Sequence, residues 1–410
     1  MKVKNMRFQQ QELLQQDESK VKMIGSLELL LVFLAIISVG ANLRAPLTSV
    51  GPLVGEIRSS LGISGFAAGF LTTLPLLAFA LLSPFVPKLS RRFGMESVLF
   101  FASVLITAGI FLRMTGSVRL LFAGTLLIGF GIAFGNVLIP GLIKSRFPMH
   151  LGVMTGIYAV SMNLCAAIAS GLSVPVSEKL GWSGSLGYWG FISLVAIFVL
   201  LPQVRRSGNK PAGKESGQKA VNLWKSGLAW NITVFMGLQS LIFYTIVAWL
   251  PEILAERGVE AGAAGWLLSL MQFALIPFTF IIPIIAGRMK NQIPLVIATG
   301  ALFIGGILGI LMGTSSLTLL WVIMIGIGGG TAFSLAMMFF SLRTKNPQEA
   351  AELSGMAQSF GYLLAATGPA LFGILHDATH SWTLPLWMLL AVSVIILLTG
   401  IVSGRDTQVK

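Results

Sequence analysis

Apolar runs bounded by charged or turn residues recur twelve times along the chain, at about 27–55, 64–86, 97–115, 119–143, 151–176, 184–202, 226–251, 262–286, 293–313, 317–341, 352–375 and 382–403. Each is long enough to cross about 30 Å of hydrocarbon as an α-helix. A soluble protein of this length would divide into about two or three separately cored domains and would not repeat such runs from end to end. The longest polar stretch, Gln203 to Lys225 (QVRRSGNKPAGKESGQKAVNLWK), falls near the middle and reads as a flexible linker.

The two sides of that linker are related. A shift of 199 residues superimposes Pro52 on Pro251, Ala133-Phe134 on Ala332-Phe333, Gly156 on Gly355, Ala166-Ala167 on Ala365-Ala366 and Leu172 on Leu371, without a gap. One offset serving the first, fourth and fifth helices of each half predicts two six-helix halves, with a substrate site at their interface near mid-membrane. The expected organisation is an all-α membrane protein with a tail at 1–26, an N-terminal half at 27–202, a linker at 203–225, a C-terminal half at 226–403 and a tail at 404–410.

Composition agrees: 55% of the 410 residues are hydrophobic and 10% charged, with mean hydropathy +0.85. A soluble domain carries roughly a quarter charged residues. The net charge of +13 would suit nucleic acid, but the 28 Lys and Arg sit in short interhelical loops, which excludes that partner. Five fall in predicted outer segments (Arg58, Arg113, Arg119, Lys179, Arg257), one (Arg44) in the membrane and 22 on the side of the termini. That asymmetry predicts a multi-pass inner-membrane protein with both termini cytoplasmic, expected to be monomeric. The basic, polar start of the chain reads as a cytoplasmic tail rather than a cleaved signal peptide. The only cysteine, Cys165, lies in an apolar span, leaving no disulfide or CxxC metal site, and reads as a packing residue.

Four segments carry a family resemblance: NLRAPLTSVGPL (42–53), GIAFGNVLIPGLIKSRFP (131–148), MTGIYAVSMNL (154–164) and FMGLQSLIFYTIVAWLPEIL (235–254). They resemble the cyanate-permease branch of the major facilitator superfamily, which also includes a 2-nitroimidazole exporter. The resemblance implies a twelve-helix transporter whose first, fourth, seventh and tenth helices line a central cavity. Between the second and third helices, PKLSRRFGMES (87–97) replaces the family's usual G-x-L-x-D-R-x-G-R-K loop, with Arg91 in place of the acid. Any gate latch there must use Arg91, Arg92 or the helix end.

The candidate binding residues follow from depth. With the first helix running from Glu28 to Glu56, its midpoint is near Asn42, and Arg44 lies about 3 Å from the bilayer centre. An arginine there costs at least about 2.5–3.5 kcal/mol unless it faces a polar cavity, and about 18 Å to the outer end is beyond its reach. All fifteen acidic residues lie in the tail, in loops or at helix ends, so Arg44 has no intramembrane counter-ion. A planar cationic donor of this kind suits an anion, or a nitro or cyanate group. The same arithmetic makes Asn42 itself a candidate and places Asn163, Gln239, Gln272 and Tyr362 near the centre and Asn136 and Gln358 somewhat toward the cytoplasm. As polar groups in apolar helices these should turn inward, to bind cargo or to join helices. Tyr158, Tyr244 and Trp249 are candidate cavity walls or packing residues.

Nothing points to catalysis, a cofactor or a metal; His376 and His380 flank Asp377 at a spacing that a metal site could use, and read as a solvated loop. The expected function is secondary active transport of a small anion or small polar solute, cyanate-like or nitro-compound-like, by alternating access. Efflux of drugs or toxic compounds is the alternative, and a non-transporting sensor or scaffold, for which a mid-membrane charge has no use, is a second.

Overall fold

The computed structural model describes residues 29–63, 65–206, 223–259, 261–312 and 315–409. The tail 1–26 and most of the linker, 207–222, lie outside the described residues. Eleven stretches among the described residues are long and apolar enough to cross a membrane. One of them, Pro148–Val204, spans 57 residues and turns back at Gly181, whose φ of 68° suits only a residue without Cβ. Twelve crossings result.

We number them α1 (Leu29–Leu53), α2 (Gly65–Leu82), α3 (Met95–Arg113), α4 (Val118–Arg146), α5 (151–180) and α6 (Gly190–Arg206) in the first half. The second half holds α7 (Gly227–Glu256), α8 (Ala261–Arg288), α9 (Ile293–Met312), α10 (Thr318–Leu342), α11 (Pro347–Thr379) and α12 (Thr383–Ser403). Backbone groups find no water in hydrocarbon, so each crossing closes its hydrogen bonds within a helix. Large side chains such as Phe191, 68% exposed, face outward where lipid belongs.

α1 is broken at its middle. Pro46 has no N–H to give the carbonyl of Asn42, and its ring crowds that carbonyl. Arg44 leaves helical geometry (φ −127°, ψ −36°) before the chain resumes as Ala45–Thr48 and a 3₁₀ turn at Gly51–Leu53. The break projects Arg44 from the helix wall.

The two halves meet along α2 with α11 and α5 with α8, at the end of the bundle that carries Leu29 and Val409, hereafter the termini end. There a Cβ on Gly355 of α11 would lie 2.8 Å from the Ser83 carbonyl, and one on Gly156 of α5 would lie 2.8 Å from the Phe280 carbonyl. Ser359 Oγ donates to the Ala80 carbonyl at 2.5 Å, and Lys144 Nζ, at the end of α4, donates to the Ser341 carbonyl at 2.7 Å and to the Thr344 carbonyl. Toward the opposite, distal end the halves separate around a cavity of about 550 Å³.

One boundary differs from the sequence reading. Gln203–Arg206, assigned to the linker, complete the last turn of α6, where Gln203 donates to the Leu31 carbonyl at 2.9 Å. The C-terminal tail folds back on the helix ends: Gln292 N–H donates to the Gly404 carbonyl and Val409 N–H to the Arg343 carbonyl, both at 2.8 Å. Arg343 ties this corner together by donating to the Ser403 and Gly404 carbonyls and to Gln292 Oε1. Burial lowers its pKa, while Asp406 pulls it back up.

Candidate functional site

Arg44 sits at the floor of the cavity. Its Nη1 donates to Asn163 Oδ1 at 3.3 Å, and its Cζ lies 5.5 Å from the ring centre of Phe243 on α7 and 5.3 Å from that of Phe333 on α10. Rings at this distance stabilise the cation by about 0.5–2 kcal/mol each. Asn163 is turned for this contact, because its Nδ2 is committed to the Ala159 carbonyl at 2.8 Å. Gln239, Ser240, Tyr244, Leu275 and Tyr362 complete the floor, with Gln239 Nε2 bonded to Ser240 Oγ at 2.7 Å. Asn136 and Gln272 border the wider cavity, and Asn136 Oδ1 accepts from Tyr158 at 3.1 Å.

No Asp or Glu lines the cavity among the described residues. Among the described residues the Asn163 bond is the only hydrogen bond of the Arg44 guanidinium, and Nε and Nη2 have no partner there. A half-buried, planar cation with free N–H donors in an aromatic-walled cavity can take two acceptor oxygens in its plane.

Several predicted positions lie elsewhere. Asn42, 2% exposed, donates to the Ser38 carbonyl at 2.7 Å and to the Ile192 carbonyl of α6 at 3.2 Å, so it joins helices behind the cavity. Gln358 is buried in the seal between the halves, bonded to Ser354 Oγ at 3.3 Å. Trp249 donates to the Pro369 carbonyl at 2.9 Å and packs on Trp382, not into the cavity. Arg91 of the α2–α3 loop pairs with Glu352 of α11, across the halves. Arg92 takes no part; it is exposed and lies over the ring of neighbouring Phe93. Arg113, assigned to an outer loop, is buried in the cavity wall, because Gly109 and Gly124 bring α3 and α4 so close that the wall closes over it.

Phe243, Phe333 and Ser240 were missed. The repeat offset held a signal for two floor contacts: 199 residues on from Arg44 is Phe243, and 199 on from Asn163 is Tyr362. Pseudo-symmetry thus places corresponding positions of the two halves around one point.

Twelve helices in two halves around a polar floor define a polytopic transporter. The chain belongs to the major facilitator superfamily, whose profile matches residues 29–369. It is 40% identical over 377 residues to the 2-nitroimidazole transporter of Escherichia coli (strain K12), covering 92% of this chain and 95% of that one. It is 27% identical over 369 residues to the cyanate transport protein CynX of the same organism, covering 89% and 94%. These relatives place it in the cyanate and nitroimidazole branch. In fold it matches the major facilitator transporter FucP in the outward conformation, with a TM-score of 0.73, 12% identity and coverage of 91% and 98%. Fold and relatives are those of a transporter of small solutes, not of an enzyme.

Proposed function

We propose that the chain moves a small planar anion or nitro-bearing solute across the cell membrane by alternating access, binding it at Arg44. The observation that carries this reading is a guanidinium that lies over the rings of Phe243 and Phe333, whose Nη1 is held by Asn163, in a cavity that no carboxylate lines among the described residues. A delocalised acceptor such as a carboxylate, nitrite, cyanate or nitro group satisfies its free N–H donors in the plane of the guanidinium, and the surrounding rings accept an aromatic body. The names of the relatives, one for 2-nitroimidazole and one for cyanate, support the same acceptor chemistry.

The positive charge of the loops at the termini end supports a cytoplasmic placement for that end. The cavity then faces outward, and the seal formed by Gly156, Gly355, Lys144 and the Arg91–Glu352 pair is the cytoplasmic gate. Here an arginine on the first half and an acid on the second replace the loop acid of the wider family. In the opposite state these contacts part and the distal ends of the halves close over Arg44.

The test is a thermal-shift series on the purified full-length protein with cyanate, nitrite, 4-nitrobenzoate and 2-nitroimidazole, against chloride and glucose. A compound that binds the folded state raises the unfolding temperature by mass action. We expect a saturable shift with at least one planar acceptor and none with glucose. Shifts with glucose alone would overturn the assignment.

A further inference from the structure

A second arginine stands in the wall above Arg44. Arg113 ends α3, is 1% exposed, and borders the distal part of the cavity beside Val50, Leu71 and Thr125. Its Nη1 donates to the Pro46 carbonyl, at the break of α1, at 2.9 Å. Among the described residues its Nε and Nη2 have no hydrogen-bond partner and no acidic side chain pairs with it. A Cβ on Gly124 would lie 2.5 Å from the Gly109 carbonyl and 2.9 Å from Arg113 Cγ, so the close approach of α3 and α4 that buries Arg113 depends on this glycine.

An arginine that served only to pin Pro46 would be expected to satisfy its other nitrogens, because unpaired charged donors are costly to bury. Arg113 leaves two unpaired and keeps its full charge in a low-dielectric wall. A buried charge is screened far less than a surface one. A cleft whose walls carry one sign focuses the field and raises the local concentration of the opposite ion by about 10- to 1000-fold. With no acid along the cavity, Arg113 and Arg44 are the only charged residues lining it among the described residues.

We propose that Arg113 determines charge selectivity: it makes the vestibule attract small anions and favours an anion over its neutral analogue on the way to Arg44. The inference rests on the reading of the cavity as an anion path. It assigns to Arg113 a role at a distance through its field, separate from cargo contact at Arg44.

The first test needs no cargo. In full-length protein in nanodiscs carrying Cys165→Ser and Leu47→Cys, the reaction rates of an anionic and a cationic methanethiosulfonate reagent at position 47 give a ratio that reports the local potential. Leu47 lines the cavity next to Pro46. Arg113→Gln is expected to lower the anion-to-cation ratio about tenfold, and Arg113→Lys to hold it within about threefold. An unchanged ratio in Arg113→Gln, or an equal fall in both variants, would overturn the proposal, the second outcome marking a packing role.

The second test compares 4-nitrobenzoate with neutral 4-nitrobenzamide by thermal shift. Arg113→Gln should weaken the anion about tenfold and leave the amide within twofold; equal weakening of both contradicts the proposal. A wild type that binds neither compound yet shows the charge-dependent ratio would sink the cargo reading at Arg44 and leave the vestibule's selectivity standing.

Discussion

Replacing Gly355 with alanine should open the gate at the termini end. The new Cβ would lie 2.8 Å from the Ser83 carbonyl oxygen and 3.2 Å from Pro87 Cγ. Neither neighbour is a flexible side-chain end, so the halves must move apart. Overpacking of this kind costs about 1–3 kcal/mol. The cost falls only on the state in which this end is shut, because separated halves leave the methyl free. A differential of that size shifts the open-to-closed ratio about 5- to 150-fold. Gly156→Ala, which meets the Phe280 carbonyl at the same 2.8 Å, should act in the same direction. The assay is a distance measurement between spin labels on cysteines at Arg92 and Lys345, both exposed at this end on opposite halves, in a Cys165→Ser background. Gly355→Ala should add a longer distance to the distribution. If thermal stability is kept and the distribution is that of the wild type, the seal is not the gate.

Two further outcomes follow from the same contacts. Asn42→Ala should lower the unfolding temperature slightly, since an interhelical bond in a membrane bundle contributes about 0.6 kcal/mol, and should leave binding of 4-nitrobenzoate unchanged; a specific loss of binding would return Asn42 to the site. Arg343→Ala removes donors to Ser403, Gly404 and Gln292, so residues 404–409 should become sensitive to carboxypeptidase and stability should fall by about 1–3 kcal/mol; a protected tail would contradict the account.

The fold was legible because each level of the sequence agreed: twelve apolar runs, one polar interruption and one repeat offset. The site was legible in part. Depth along α1 singled out Arg44, but depth alone also chose Asn42. The break in α1 after Asn42 turns Arg44 into the cavity and leaves Asn42 on the wall that packs against α6, and a break of that kind is not read from depth. Gln358 is one turn from Tyr362 on the same face of α11, yet it lies toward the end where the halves are shut; conformational state, which sequence does not encode, separates them. Phe243 and Phe333 were hidden because their helices are apolar on every side, so periodicity does not say which aromatic turns inward. Arg113 was hidden because its burial depends on α4 closing over the end of α3 through Gly124, a contact that no hydropathy window contains. The Arg91–Glu352 pair joins residues 261 positions apart, and only the packing of the halves reveals it.

The central claim, that cargo binds at Arg44, is tested most directly by binding of cyanate, nitrite and 4-nitrobenzoate to wild type, Arg44→Lys and Arg44→Ala, each checked for an intact fold by its unfolding temperature without ligand. Losing one partner of a desolvated charge pair costs about 2–5 kcal/mol, or about thirtyfold and more in affinity. Arg44→Ala should therefore show no saturable shift with any of the three. Arg44→Lys should bind far more weakly than wild type, because a point charge does not replace the planar fork that lies over the rings of Phe243 and Phe333. Among the described residues no carboxylate pairs with Arg44, so removing it strands none and both variants should keep their fold. Wild-type affinity in Arg44→Ala for any anion that the wild type binds would contradict the account.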